Sequence, residues 1–600
     1  MLRAVYRSIR NLLCVPLFPM WAIARWLSRP KAPWVVVRLK PRLVEARQPL
    51  PWLRRILEAD SLRRTSSLAA VRRLADCAIR DSKVEGVAFV IPPLQAGWSV
   101  SAGLREQILR LRDEGKKTTV LLPRGAGHRE LYVASAADRL YLGPQSTITL
   151  LGLSAQSHYL KPMLDKLGVE VEPFARKEYK TAVERVSRDA MSEPQREQVQ
   201  ALLDGHTVAL LDALSQRLGT PPAEVRALFE TGVFRAQEAV DANLADGLAY
   251  EDELPDRLAL HPKDASPQRD ARRAGPPSRS TASGAEGGLG EGERAGGRHK
   301  KLTVEASRYL RFKEAKLFRP LRRPTYIAVV PIRGAISESG APQGRRSSIV
   351  AALRHARQDR RALGVLLWID SPGGSAEASD LIHREVVRVK EKKPVVAYFG
   401  EVAASGGYYV AAHANAIVAQ PLGLTGSIGV VSARLLAAQL LDRLGVRTEV
   451  LRTGPHADFF SPHRPLSEEE RAIMNRELDA FYDSFVALVA DGRGRPVEEI
   501  EPLARGRVWL AADAHRHGLV DELGGMDAAM DRLRSNIEAP ERVRARLRPM
   551  VVSTYRLEAP PPAAQIRLQN PVLEGFRDLA ALLSEGPAVL YHAIGLPRIR

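Results

Sequence analysis

Cysteine is nearly missing from this sequence: Cys14 and Cys77 are the only two in 600 residues. That excludes a disulfide-stapled scaffold and a metal centre built on cysteine clusters, and two such distant thiols do not fix the redox compartment. Aromatic residues are sparse too, at 6%, and they do not interleave with basic residues as single-strand nucleic-acid readers require. Zinc-finger spacing is also lacking. The formal net charge of +20 therefore reads as attraction to an acidic surface such as anionic lipid, with no nucleic acid expected as a partner. A membrane-length apolar run is missing from the N-terminal end. The stretch from Leu12 to Ala24 is interrupted by Pro16 and Pro19 and falls short of the ~20 residues a helical span needs.

What is present is ordinary globular material, 45% hydrophobic and 26% charged, in a chain long enough for two or more domains. At the start, Arg3, Arg7 and Arg10 precede the apolar stretch, and Arg25, Arg29 and Lys31 follow it. A cleaved signal segment fits the basic start and the Ala22-Ile23-Ala24 end. An uncleaved tilted or interfacial anchor over residues 1–30 fits the basic flanks on both sides and the Trp21 and Trp26 pair. An amphipathic surface helix is the third reading. The flanks suit the anchor best.

An internal repeat organises the rest. Gly86-Val-Ala-Phe-Val-Ile91 matches Gly364-Val-Leu-Leu-Trp-Ile369, 278 residues on. Tyr132-Val-Ala-Ser-Ala-Ala-Asp138 matches Tyr409-Val-Ala-Ala-His-Ala-Asn415, and Asp165-Lys-Leu-Gly-Val169 matches Asp442-Arg-Leu-Gly-Val446, both at 277. The apolar entry runs Trp34–Val37 and Tyr326–Val330 also correspond. Each copy alternates β-rich apolar runs with helical patterns, which predicts an α/β fold with largely parallel sheets and flanking helices. The expected organisation is a first unit over 31–262, a flexible low-complexity linker over 263–301, a second unit over 302–540 and a tail over 541–600. The linker is rich in Gly, Ser, Pro, Ala and Arg and has almost no large apolar residue. The tail carries Ala559-Pro-Pro-Pro-Ala563 and is assigned no chemistry.

The chemistry is expected around Ser405. Pro394–Phe399 reads as a buried strand, Ala403-Ala404-Ser405-Gly406-Gly407 as a turn, and Tyr408 onward as a helix. A serine at such a strand-to-helix turn, flanked by small residues, has a free hydroxyl and accessible amides, as a nucleophile beside half an oxyanion hole requires. Ser371-Pro372-Gly373-Gly374-Ser375 follows a second buried strand in the same way. The Gly374 N–H is the candidate second oxyanion donor beside that of Gly406. Leu424-Thr425-Gly426-Ser427-Ile428-Gly429 is a third small-residue turn.

These turns, SPGGS, AASGGYY and TGSIG in that order and spacing, resemble the core of the signal peptide peptidase SppA (protease IV) family in its two-repeat long form. The resemblance implies a ClpP/crotonase-like fold. A serine hydroxyl needs a base, and where a ClpP-type histidine should follow, the sequence has Ile428–Val431. His413 is expected to face away from Ser405, and His128, the first-unit counterpart of Ser405, reads as a solvated loop histidine. A lysine is the other solution, provided burial keeps its amine neutral. The tract Tyr179-Lys-Thr-Ala-Val-Glu184 resembles the family segment that carries the general-base lysine, which points to Lys180; its second-unit counterpart is Ala457. The family also gives Ser427 a supporting role toward that amine. With nucleophile and base in different repeats, a complete site requires a first unit to meet a second, within one chain or between chains.

By resemblance, the expected protein is a membrane-associated serine endopeptidase with a Ser-Lys dyad. Its expected substrates are cleaved signal peptides and other short unfolded apolar peptides. A bowl-shaped homotetramer at the bacterial inner membrane, with its catalytic part on the periplasmic side, completes the expectation. No metal and no cofactor is expected. The rival readings are a crotonase-type acyl-thioester enzyme and a membrane scaffold whose site has decayed.

Overall fold

The computed structural model describes residues 2–46, 64–259, 302–315, 317–318, 324–338 and 345–552. The linker expected at 263–301 and the tail beyond 552 lie outside these. The chain divides into two compact units, one of residues 1–152 and 207–323 and one of residues 153–206 and 324–600.

Parallel strands buried on both faces read as unbroken apolar runs, and both sheets are built from such runs. In the first unit the strand order is Gly247–Leu248, Arg139–Leu142, Lys117–Leu122, Gly86–Val90, Trp34–Arg38 and Thr303–Glu305, every neighbour parallel. Phe89, Leu104, Ile108, Leu122 and Leu140 pack between this sheet and its helices. In the second unit the order is Val508–Leu510, Leu424–Gly426, Val395–Ala404, Ala362–Ser371, Tyr326–Arg333 and Arg548–Val551, with Ala416–Ala419 and Glu522–Leu523 branching from Val395–Ala404. The sheet is parallel except where Leu424–Gly426 meets Val508–Leu510. Leu367, Ile369, Val386, Phe399 and Tyr408 belong to its core.

The repeat is visible strand for strand. Arg139–Leu142 and Thr147–Thr149 have Ala416–Ala419 and Leu424–Gly426 as counterparts at the sequence offset. Thr147–Thr149 pairs antiparallel with Val233–Arg235, just as Leu424–Gly426 does with Val508–Leu510. A two-repeat α/β architecture with largely parallel sheets is what the sequence pattern predicts.

The compact units do not follow the repeat boundaries. Residues 153–206, Lys180 among them, pack into the second unit. The reason is a strand pairing: Glu170–Ala175 runs antiparallel to Val431–Leu436 through a continuous register, Val431 opposite Ala175 and Leu436 opposite Glu170. A buried ion pair, Arg434 to Glu172 at 2.7 Å, crosses the same ladder. Thr303–Glu305 pairs with Trp34–Val36 and so extends the first sheet, while Arg548–Val551, inside the expected tail, extends the second beside Tyr326–Val329.

At the N-terminal end the apolar stretch forms two helices, Leu2–Cys14 and Phe18–Leu27, broken around Pro16. Among the described residues no helix is long and apolar enough to cross a membrane. Leu12, Leu13, Met20, Ile23, Trp26 and Leu27 are exposed.

Candidate active site

Three strand ends build the site. Val395–Ala404 delivers Ser405, and the short helix Gly406–Ala411 follows at once. The turn is so sharp that Ser405 takes φ 51° and ψ −119°, a conformation a non-glycine residue holds at a cost of roughly 1–3 kcal/mol. Its amide donates to the Gly426 carbonyl at 2.9 Å, which fixes the serine against the neighbouring strand.

Ala362–Ser371 delivers the glycine turn. The Ser371 hydroxyl donates to the Gly334 carbonyl at 2.6 Å and accepts from the Gly373 amide at 3.1 Å, pinning the loop from inside. Ile336 then bridges over Gly374: its amide donates to the Gly373 carbonyl and its carbonyl accepts from the Ser375 amide, both at 2.8 Å. Gly374 has φ +152°, and a Cβ there would lie 2.0 Å from the Ile336 oxygen. Only glycine fits. The Gly374 and Gly406 amides donate to no other described residue, and a Cβ on Gly406 would sit 3.4 Å from the Gly374 nitrogen. Two unspent donors therefore converge beside Ser405, the arrangement an oxyanion requires.

Lys180 arrives from the strand Glu170–Ala175. Its amine lies 3.1 Å from Ser405 Oγ, 2.9 Å from Ser427 Oγ and 2.7 Å from the Ser427 carbonyl oxygen. Ser427 also has positive φ, 51°, and presents both oxygens to the one nitrogen. The Lys180 side chain is buried, and burial lowers its pKa from 10.5 to about 7, with no contribution from a charged neighbour among the described residues. The geometry suits both protonation states. A neutral amine has two N–H groups for the two Ser427 oxygens and a lone pair for the Ser405 O–H, while an ammonium donates to all three.

The structure thus brings together Ser405, Lys180, Ser427, Gly374 and Gly406, with the amine and the hydroxyl in a single chain. His413 turns away from the serine, as expected: Nε2 faces Asp491 at 2.7 Å and Nδ1 faces His383 Nε2 at 2.8 Å. His128 in the first unit is half-buried, not solvated, and packs edge-on against Phe229. Burial holds its pKa down. Nearby, Glu130 accepts from the Leu94 amide at 2.5 Å and the Gly127 amide at 2.9 Å, and Arg129 donates to the Ala96 carbonyl. One amide of the stretch that corresponds to the SPGGS turn, that of Leu94, is thus engaged by a carboxylate of the protein itself.

Sequence reasoning did not find the turn Arg505-Gly506-Arg507 or Gln198, which pack around the lysine. Nor did it find the Ser427 carbonyl as an acceptor. None has a residue type that signals chemistry; a glycine between two arginines was the one local hint.

Two α/β repeats, with a serine and a buried lysine meeting beside paired glycine amides, define a two-repeat α/β protein with a serine–lysine site. The family model of peptidase family S49 matches residues 110–263 and 387–539, one match in each repeat. The chain belongs to peptidase family S49. It is 32% identical over 462 residues to the "Serine protease SPPA, chloroplastic" of Arabidopsis thaliana, covering 75% of this chain and 63% of that protein. To the "Protease 4" of Salmonella typhi it is 31% identical over 442 residues, 72% of this chain and 65% of the relative. The "Protease 4" of Haemophilus influenzae is 29% identical over 67% of this chain and 62% of its own length. The matches thus span a little under two thirds of each of these relatives.

Proposed function

We propose that the chain is a serine endopeptidase in which Ser405 is the nucleophile and Lys180 the general base. The observation that carries this reading is the buried amine held by Ser405 and Ser427 with no carboxylate partner among the described residues. The Ser405 Oγ–H proton passes to the Lys180 lone pair as Oγ attacks a peptide carbonyl, and the tetrahedral oxygen is held by the Gly374 and Gly406 amides. The Lys180 ammonium returns its proton to the leaving amine as the C–N bond breaks. Water then gives a proton to Lys180 as its oxygen bonds to the acyl carbon; the C–Oγ bond breaks, and Lys180 returns the proton to Ser405 Oγ as the carboxyl product leaves. No metal or organic cofactor takes part in these steps.

The substrates we propose are cleaved signal peptides and other short, unfolded, apolar segments, because the turns around Ser405 are walled by small and β-branched residues. Membrane association is supported by the apolar side chains exposed on the two N-terminal helices and by Arg25, Arg29 and Lys31 beside them; residues of this kind bind bilayer interfaces. We place the protein at the bacterial inner membrane with its catalytic part on the periplasmic side. A homo-oligomer, a tetramer by family resemblance, is supported by Met163, Leu167, Leu444, Val446 and Leu451, large apolar residues exposed on the second unit. The acyl-thioester reading gives the buried Lys180 no task. Labelling with a fluorophosphonate probe tests the proposal: wild-type protein is labelled and Ser405→Ala is not. Equal labelling of both, or thioester turnover without peptide cleavage, would remove it.

A further inference from the structure

The lysine lies in a slot whose walls come from two other stretches. The turn Ala504–Val508 is bonded on one side to the lysine's neighbours and on the other to the Ser427 turn. The Tyr179 amide donates to the Arg505 carbonyl at 3.2 Å, the Gly506 amide to the Ile428 carbonyl at 2.8 Å, and the Ser427 amide to the Arg507 carbonyl at 2.6 Å. Gln198 ties the same pieces from behind, accepting from the Val508 amide at 3.3 Å and donating to Thr181 Oγ1 at 2.9 Å. Charged side chains clamp the outside: Arg505 pairs with Glu178 and Glu501, and Arg507 with Glu197, which also accepts from the Tyr179 hydroxyl.

At the centre is Gly506, with φ +79°. A Cβ there would lie 2.6 Å from both the nitrogen and the Cβ of Lys180 and 2.8 Å from its Cα. These are backbone or backbone-fixed atoms that cannot swing aside. Next to it, a Cβ on Gly429 would lie 3.4 Å from Lys180 Cδ and 3.0 Å from Gly506 Cα. The stem of the lysine thus runs along two adjoining glycines, and the turn that carries Gly506 also holds Ser427, to which the amine donates.

We infer that Gly506 is a positioning residue for the Ser405–Lys180 pair: its missing side chain lets the lysine backbone lie against the turn, which sets the amine-to-hydroxyl distance and keeps water from the amine. This rests on the reading of Lys180 as the base. A shift of the lysine by one atomic radius would lengthen the 3.1 Å contact and open the slot, and misplacement of about 1 Å lowers turnover on the order of 100-fold.

The test compares Gly506→Ala with Gly494→Ala in the full chain, using a fluorogenic apolar peptide and the pH profile of kcat/KM. Gly494 is a fair control because it too has positive φ, +62°, yet a Cβ on it meets nothing within 4 Å. The expected result for Gly506→Ala is a kcat lower by about 100-fold with KM within about twofold, and an acid limb displaced to higher pH as the amine regains solvent. Gly494→Ala should match wild type in both. If Gly506→Ala does not fold, Gln198→Met decides instead, since it cuts the bridge to Val508 and Thr181 without adding atoms to the slot; the same alkaline displacement is expected, with a smaller loss of kcat. An unmoved acid limb in the folded Gly506→Ala protein, or in Gln198→Met where that variant decides, overturns the inference, and so does an equal loss in Gly494→Ala. Failure of the underlying reading looks different: Lys180→Ala would then keep cleaving peptide.

Discussion

The Lys180 amine sits 3.1 Å from the Ser405 hydroxyl, and its two remaining contacts are both to oxygens of Ser427. A base poised this way is competent only when unprotonated. With burial lowering its pKa to about 7, log kcat/KM should fall with unit slope below pH 7 and level off above it. Lys180→Ala should lower kcat by roughly 10²–10⁴-fold while the far-ultraviolet circular dichroism stays that of wild type. An acid limb centred near 4, typical of a carboxylate, would assign the base elsewhere.

The same burial makes a claim about stability. The unfolded chain holds the lysine proton up to about 10.5 and the folded chain only to about 7, so below pH 7 both states are protonated and the folded state bears the whole penalty of a buried charge. That penalty is roughly 5 kcal/mol, and it shrinks as pH rises from 7 toward 10.5. Lys180→Met keeps the stem and removes the charge, although it leaves two Ser427 oxygens without a donor, at about 1–3 kcal/mol. The variant should therefore be inactive and more stable than wild type by about 2–4 kcal/mol at pH 6, with the gain lost by pH 10. Urea denaturation at the two pH values measures this. A variant that is less stable at pH 6 would mean that the amine is solvated in the folded protein.

Much of this was legible in the sequence because the informative residues are local. SPGGS, AASGGYY and TGSIG each place a special backbone at the end of an apolar run, and an apolar run buried on both faces announces a parallel strand by itself. The near-constant offset between Gly86 and Gly364, or Tyr132 and Tyr409, gave the second copy. What the sequence hides is pairing at long range. Glu170–Ala175 alternates weakly and carries Glu170 and Glu172, so nothing local says that it docks on Val431–Leu436 and brings Lys180 with it into the second unit. Gly506 is hidden for a related reason: its importance is the space beside another residue, which no pattern within its own segment records. Glu130 is a third case, since Leu94, to which its carboxylate is bonded, lies 36 residues away.

The remaining prediction concerns the oxyanion amides. Gly406 and Ser379 are in close contact: a Cβ on Gly406 would lie 2.4 Å from Ser379 Oγ. That hydroxyl donates to the Ser375 carbonyl at 2.7 Å, one residue beyond Gly374. A methyl group at 406 must therefore push Ser379 and, through Ser375, the Gly374 amide. Gly406→Ala should lower kcat by about 10²–10³-fold, the usual loss when one oxyanion donor is misplaced. Ser379→Ala alone removes one hydrogen bond away from the reacting atoms and should leave kcat nearly unchanged. In the double variant the added methyl finds the space the hydroxyl vacated, so much of the lost activity should return, with a coupling energy of at least about 1 kcal/mol. The cycle is read from kcat/KM of the four proteins on one peptide. Additive losses would show that the two side chains do not compete for the same volume, and the placement of the Gly406 amide beside that of Gly374 would have to be abandoned.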